Sequence, residues 1–255
     1  MAVMMVTPVV VAVPAVTTDA QATSKDPVGA LKERLVENRG VRLSKTLTAT
    51  KNGEKATFWS TGAAEFERGG IEASDITHRS DFKNLTSPIR HITFTGRKYV
   101  QESGLPSGKH WRRYKDKGIR PLLDSDWIRL ADPIMLKAVL DTTETNRPGG
   151  VYDGTHTILY QGTISLGELY RAAPGFPFGL ERKPAGKDAK AKISWRLWLG
   201  EDQLVRRAWG SWSEPFSGGG GGKALVKSYV SDTRLTGWGA RTDIEPPSAD
   251  EVANP

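Results

Sequence analysis

The chain has 255 residues, with 36 Lys+Arg against 29 Asp+Glu, 27 Gly, 15 Pro, 8 Trp and no cysteine. At 38% hydrophobic and 25% charged it is neither a membrane bundle nor a charge-rich disordered chain, and it is long enough to bury a full core. The missing cysteine excludes disulfide scaffolds, thiol catalysis, thiolate zinc sites and iron–sulfur clusters together.

Residues 1–16 are apolar and uncharged, and Ala20-Gln21-Ala22 follows as a small-x-small cleavage pattern. The stretch is too short, and too broken by Pro8 and Pro14, for a spanning helix, so residues 1–22 read as a secretory signal despite lacking a basic start. The expected location is secreted or associated with the cell envelope. A net charge of +7 invites a nucleic-acid reading. Its basic clusters are short, separated by acids, and carry no recognition-helix or RNA-binding motif, so nucleic acid is not an expected partner. An anionic membrane surface or wall polymer suits an exported basic protein better.

A single domain is expected over residues 25–255. Asp26 caps a first helix, Pro27 suits its first turn, and Leu31, Leu35 and Val36 share a face. Val41, Leu43, Leu47 and Ala49 then alternate with polar residues, and Asn52-Gly53 supplies a two-residue hairpin turn into a strand carrying Phe58 and Phe66. Further strands are expected at about 71–80, 89–101 and 109–115. Ile92, Phe94 and Val100 are expected on one face. Asp132-Pro133 starts a second helix with a broad apolar surface, Ile134, Met135, Leu136, Val139 and Leu140. A strand at 152–162 has Asp153-Gly154 in it or at its edge, and Ser165-x-x-Glu168 is a capping box for a third helix. The sheet resumes at 192–199, 204–212 and 223–235, with Ser217–Gly222 as a flexible loop. Ser248-x-x-Glu251 makes a short last turn. Helices set among long antiparallel strands predict an α+β fold with one large curved sheet.

Chemistry is sparse. His78, His91, His110 and His156 have no metal-ligand spacing and read as ordinary strand histidines. Ser217–Lys223 lacks the first glycine and the final Ser/Thr of a phosphate loop, and no Gly-x-Ser-x-Gly elbow occurs. Asp124-Ser125-Asp126 reads as a solvated turn, and Asn84-Leu85-Thr86 as a chance sequon. No enzyme, cofactor or metal is expected. The unusual feature is apolar strand content: Ile193, Trp195, Leu197 and Leu199 fall on one face of one strand. A long sheet covered by two or three short helices leaves apolar face to spare, and that space becomes a second sheet or a cavity suited to acyl chains.

Three segments carry a resemblance. Ile193 to Arg207 resembles a hairpin of actinobacterial envelope lipoproteins of the LppX/LprG type, an apolar strand, an acidic turn at Glu201-Asp202 and a basic return strand. Tyr160-Gln161-Gly162-Thr163 before a capped helix is similar to that family's Tyr-x-Gly-Thr segment. Tyr229 through Trp238-Gly239, with Ile244, Pro246-Pro247 and Val252, is similar to its closing strands and Pro turn. The resemblance implies a LolA-like fold, an incomplete antiparallel barrel wrapped over helices, and a non-enzymatic carrier of acylated lipid or lipoglycan. The sheet residues expected at the lipid are Phe58, Phe94, Ile158, Trp195 and Leu197; the helix residues are Met135, Leu136 and Val139. Those relatives are anchored through a cysteine, which this chain lacks, so it is not expected to be lipidated that way. Two alternatives stand beside the carrier: an envelope sensor or interaction module binding a membrane protein, and a glycan binder using Trp198 and Trp212.

Overall fold

The computed structural model describes residues 26–82, 87–125, 127–174, 183–216 and 225–253. The expected signal segment, the sequon, Asp126 and the Ser217–Gly222 loop lie outside them.

Helix α1 (Pro27–Arg34) begins where predicted: the Asp26 carboxylate accepts from the Val28 and Gly29 amides at 3.1 and 2.9 Å. Leu31 and Leu35 are buried, whereas Val36 falls beyond the helix and is exposed. Strands β1 (Arg39–Lys51) and β2 (Glu54–Glu67) form a hairpin through Asn52 and Gly53, both at positive φ, the conformation that an Asn-Gly turn supplies. β3 (Gly70–Ser80) follows. The segment expected as one strand at 89–101 is a second hairpin, β4 (Ile89–Phe94) and β5 (Arg97–Gln101), turning at Gly96 with φ +79°. That turn changes the facing. Tyr99 pairs with Ile92, while Val100 pairs with His91 and so lies on the other face. β6 is Trp111–Lys115, and β7 (Asp124–Ser125) and β8 (Ile128–Arg129) make a small hairpin.

Helix α2 (Pro133–Leu140) is capped by Asp132, and α3 (Leu166–Ala172) carries the reciprocal Ser165–Glu168 capping box. Between them β9 (Thr143–Tyr152) and β10 (Thr155–Ser165) pair through the Asp153-Gly154 turn. Then come α4 (Gly186–Ala189), β11 (Lys192–Gly200), β12 (Val205–Phe216) and β13 (Leu225–Arg241). The predicted last turn is a 3₁₀ turn at Ala249–Glu251, and β14 (Val252–Ala253) ends the described chain.

Twelve strands join in the order β14-β6-β5-β4-β3-β2-β1-β13-β12-β11-β10-β9. Each pairing is antiparallel except β14 on β6. β9 and β14 are not paired with each other, so the sheet stays open. This is the predicted α+β architecture of one large, incomplete antiparallel barrel with a few short helices.

The register gives the sheet two distinct faces. On the inner face Ile193, Trp195, Leu197 and Leu199 join Leu43, Ala64, Ala208 and Leu235, and α1, α2 and α3 deliver Leu31, Met135, Leu136, Val139 and Leu169 onto them. The indole of Trp195 stands opposite Gly162, where a Cβ would lie 2.8 Å from the ring, and donates Nε1–H to Thr142 Oγ1 at 3.1 Å. β7 lies against β12 and β13, and Trp127 beside it meets the inward Trp212 edge-on at 4.7 Å. On the outer face the C-terminal segment covers a separate cluster of Ile92, Tyr99 and Trp111 with Ile244 and Val252.

Candidate functional site

The helices cover only part of the inner face. Cross-strand registers follow its side chains outward from the packed core. One row runs Gly162–Trp195–Gly210–Ser231–Leu47–Phe58, and the next runs Ile164–Ile193–Trp212–Tyr229–Ala49–Ala56. Their β11 members are buried, but Leu47, Phe58, Ala49, Ala56, Tyr229 and Trp212 are all half-buried. These six side chains form one contiguous apolar patch on β12, β13, β1 and β2. Trp212 stacks on Tyr229 with ring centroids 4.5 Å apart and planes 11° apart, and Trp127 from the β7–β8 turn stands edge-on to Trp212 at 4.7 Å. Such pairs hold rings rigidly, so the patch has one firm aromatic wall.

A polar row borders the patch. Lys45, Ser60 and His78 occupy successive strands in register, and Ser60 Oγ lies 3.0 Å from His78 Nδ1. His91 lies beside His78, with ring centroids 4.8 Å apart. Burial, reinforced by the nearby His78 and Lys98 charges, lowers the His91 pKa to about 4, so its ring is neutral near pH 7.

The expected lipid-contacting residues fall into distinct places. Met135, Leu136, Val139, Trp195 and Leu197 come together, each at most 1% exposed, in the solid core between α2 and the sheet. Phe58 shares their face four strands from Trp195 and belongs to the open patch. Ile158 is half-buried opposite Leu199, on the same face but five strands from Phe58. Phe94 lies on the outer face, edge-on to Tyr99 at 6.4 Å, because it pairs in register with Ala73 of β3 on the side that Ile92 also faces. Leu47, Ala56 and Tyr229 are not among the residues expected at the lipid. The signal that places them is hairpin register: the Asn52-Gly53 turn puts Leu47 opposite Phe58.

Trp198 and Trp212, the expected glycan-stacking residues, offer no open ring face of that kind. Trp198 is 8% exposed beneath the Arg207 guanidinium, 4.6 Å from its ring, and Trp212 is engaged by Tyr229. Among the described residues no group of three His, Asp or Glu side chains is placed to hold a metal ion, and no helix is long and apolar enough to cross a membrane.

Neither a family model nor a curated protein sequence matches the chain. Solved structures do. The chain is similar to LprF from Mycobacterium bovis at 14% identity, over 88% of this chain and 97% of that one, with a TM-score of 0.45. It is also similar to a LolA superfamily protein from Nitrosomonas europaea, at 9% identity over 85% of this chain and 93% of that one, with a TM-score of 0.29. A third similarity, at 11% identity and a TM-score of 0.25, is to a chain of the Pseudomonas aeruginosa MucA/MucB complex, over 83% of this chain and 93% of that one.

Proposed function

We propose that the chain is an exported, non-enzymatic carrier that holds an acyl chain of a lipid or lipoglycan on the inner face of its sheet. The observation that carries this reading is the half-buried patch of Leu47, Phe58, Ala49, Ala56, Tyr229 and Trp212, which continues without a break from the packed core. A contiguous apolar surface on an otherwise polar protein needs a cover, and a flexible hydrocarbon matches its mixed aliphatic and aromatic lining. Each methylene removed from water contributes about 0.8 kcal/mol, so a partly covered chain of six carbons contributes several kcal/mol. Phe58 is the contact residue on β2. Met135, Leu136, Val139, Trp195 and Leu197 form the closed end against which the hydrocarbon stops, with Ile158 at the far side of the same face.

Edge pairing with a partner strand is the less favoured reading, since β9 carries Pro148, which has no amide hydrogen to offer. The decisive experiment extracts protein purified after export in organic solvent and identifies bound lipid by mass spectrometry, with an unrelated exported protein as control. Stoichiometric lipid supports the carrier. A chain that leaves export empty and ignores added fatty acid overturns it.

A further inference from the structure

The outer face carries a different chemistry, and among the described residues no helix covers it between β11 and β3. One row there runs Arg196–Trp209–Asp232–Thr46–Trp59–Arg79 across six strands, a span of about 24 Å at the usual strand spacing. The adjacent row contains Trp198, Arg207, Arg234, Ser44, Thr61 and Thr77. Two of the four guanidinium groups in these rows are braced on aromatic rings. Arg196 lies over Trp209, 4.5 Å from the ring, and Arg207 lies over Trp198 while Asp232 grips it bidentately, with Nε at 2.8 Å. Arg79, Arg196 and Arg234 are exposed, and no ion pair to any of them occurs among the described residues. The one carboxylate in these two rows, Asp232, is already spent on Arg207.

We infer that this face is a docking surface for an extended acidic polysaccharide. Guanidiniums braced on aromatic rings lose little freedom on meeting carboxylate or phosphate groups, and a planar fork recognises both. A length of about 24 Å calls for a chain rather than a small anion. Beyond the Arg196 row lies the row Thr163–Ser194–Ser211–Val230–Thr48–Thr57, whose five hydroxyl side chains, interrupted only at Val230, suit the hydroxyl groups of sugars. Two of the three indoles in these rows lie beneath guanidiniums, which leaves Trp59 as a single stacking platform where single-stranded nucleic acid needs several. A bilayer wants apolar groups to insert, and among the described residues the exposed large apolar side chains of this face are Trp59 and Val230. A twisted sheet also meets a plane along few strands, whereas a flexible chain follows its surface.

The test uses the full chain and polygalacturonate as probe, with neutral dextran, phosphatidylglycerol vesicles and oligo-dT as comparisons, at low and at physiological salt. The expected result is polygalacturonate binding that weakens with salt, absence of dextran binding, and at least tenfold loss in the combined variant Arg79→Gln, Arg196→Gln, Arg234→Gln. Circular dichroism should show that variant fully folded, because all three residues are exposed. Equal binding by the folded variant overturns the inference, as does equal affinity for dextran. Preference for vesicles or oligo-dT over polygalacturonate assigns the face to another partner and overturns it too.

Discussion

Two substitutions on the same sheet face should separate binding from stability. Leu197 is fully buried beneath α2, so Leu197→Ala removes core contacts and leaves a cavity, at a cost of about 2–5 kcal/mol. Phe58 is only half-buried. A fully buried Phe contributes about 1.5–3 kcal/mol, so Phe58→Ala should cost the fold about 1 kcal/mol. The open half of its ring can cover two or three methylenes of a bound chain, worth about 2 kcal/mol, or about thirtyfold in affinity. Urea unfolding measures the first quantity, and displacement of a fluorescent fatty acid at low urea measures the second. The expected pattern is a large fall in urea midpoint with near-normal affinity for Leu197→Ala, and the reverse for Phe58→Ala. If Phe58→Ala binds within twofold of the parent protein while still folded, the patch is not the binding surface.

Four further outcomes follow from local geometry. His91 has its pKa lowered from 6.5 to about 4, so the unfolded chain takes up the proton first as pH falls. Its contribution is therefore complete above about 6.5 and lost progressively toward 4; urea midpoints across that range should fall more steeply for the parent than for His91→Gln, and equal slopes would contradict the assignment. Asp132 accepts from the Ile134 and Met135 amides at 3.0 and 3.1 Å, so Asp132→Ala should destabilise the protein by about 1 kcal/mol in the same assay. Gly162→Ala should cost at least about 1–3 kcal/mol and alter the near-ultraviolet dichroism of Trp195, since the new Cβ would approach the Thr142 carbonyl oxygen at 2.1 Å and the indole at 2.8 Å. Pro148→Val restores an edge amide on β9 and should raise self-association measured by light scattering; an unchanged monomer would show that the edge is guarded otherwise.

Most of the fold was legible because its signals are local. Asp26-Pro27, Asp132-Pro133 and Ser165-x-x-Glu168 each start a helix, and Asn52-Gly53 each take the positive φ that their turn demands. The sequence from Ile89 to Gln101 is continuously strand-like, and its pattern does not mark Gly96 as the turn of a hairpin. That turn puts Val100 on the face opposite Ile92, while Phe94 faces outward through its register with Ala73 on β3, which no local pattern encodes. β9 escaped notice because an edge strand with Pro148, Gly149 and Gly150 has little alternation and a mostly exposed surface. At the site, periodicity marked Trp195, Leu197, Met135 and Val139 as inward-facing. It could not tell a filled core from a lined cavity, which depends on how closely β7 and α2 approach the sheet. That approach depends on strand pairing, which puts the small inward residues Ala208, Gly210 and Ser231 on neighbouring strands of the same face.

The open sheet would be a hazard if its edges were free to recruit strands. Here both are blunted: β9 by Pro148 and by register shifts against β10, β14 by its two-residue length. The preceding turn is tied down as well, with the His110 amide donating to the Glu251 carbonyl at 2.9 Å. Recognition is thereby left to the faces, and strand alternation lets the two differ completely. The same β1 residues that send Leu47 and Ala49 inward send Ser44, Thr46 and Thr48 outward. Apolar cargo on one side and a polyanion on the other would then be held by the same strands without sharing a side chain. A substitution at Phe58 should leave polygalacturonate binding intact, and the triple arginine variant should still take up fatty acid, because each set of residues points away from the other through a sheet one strand thick.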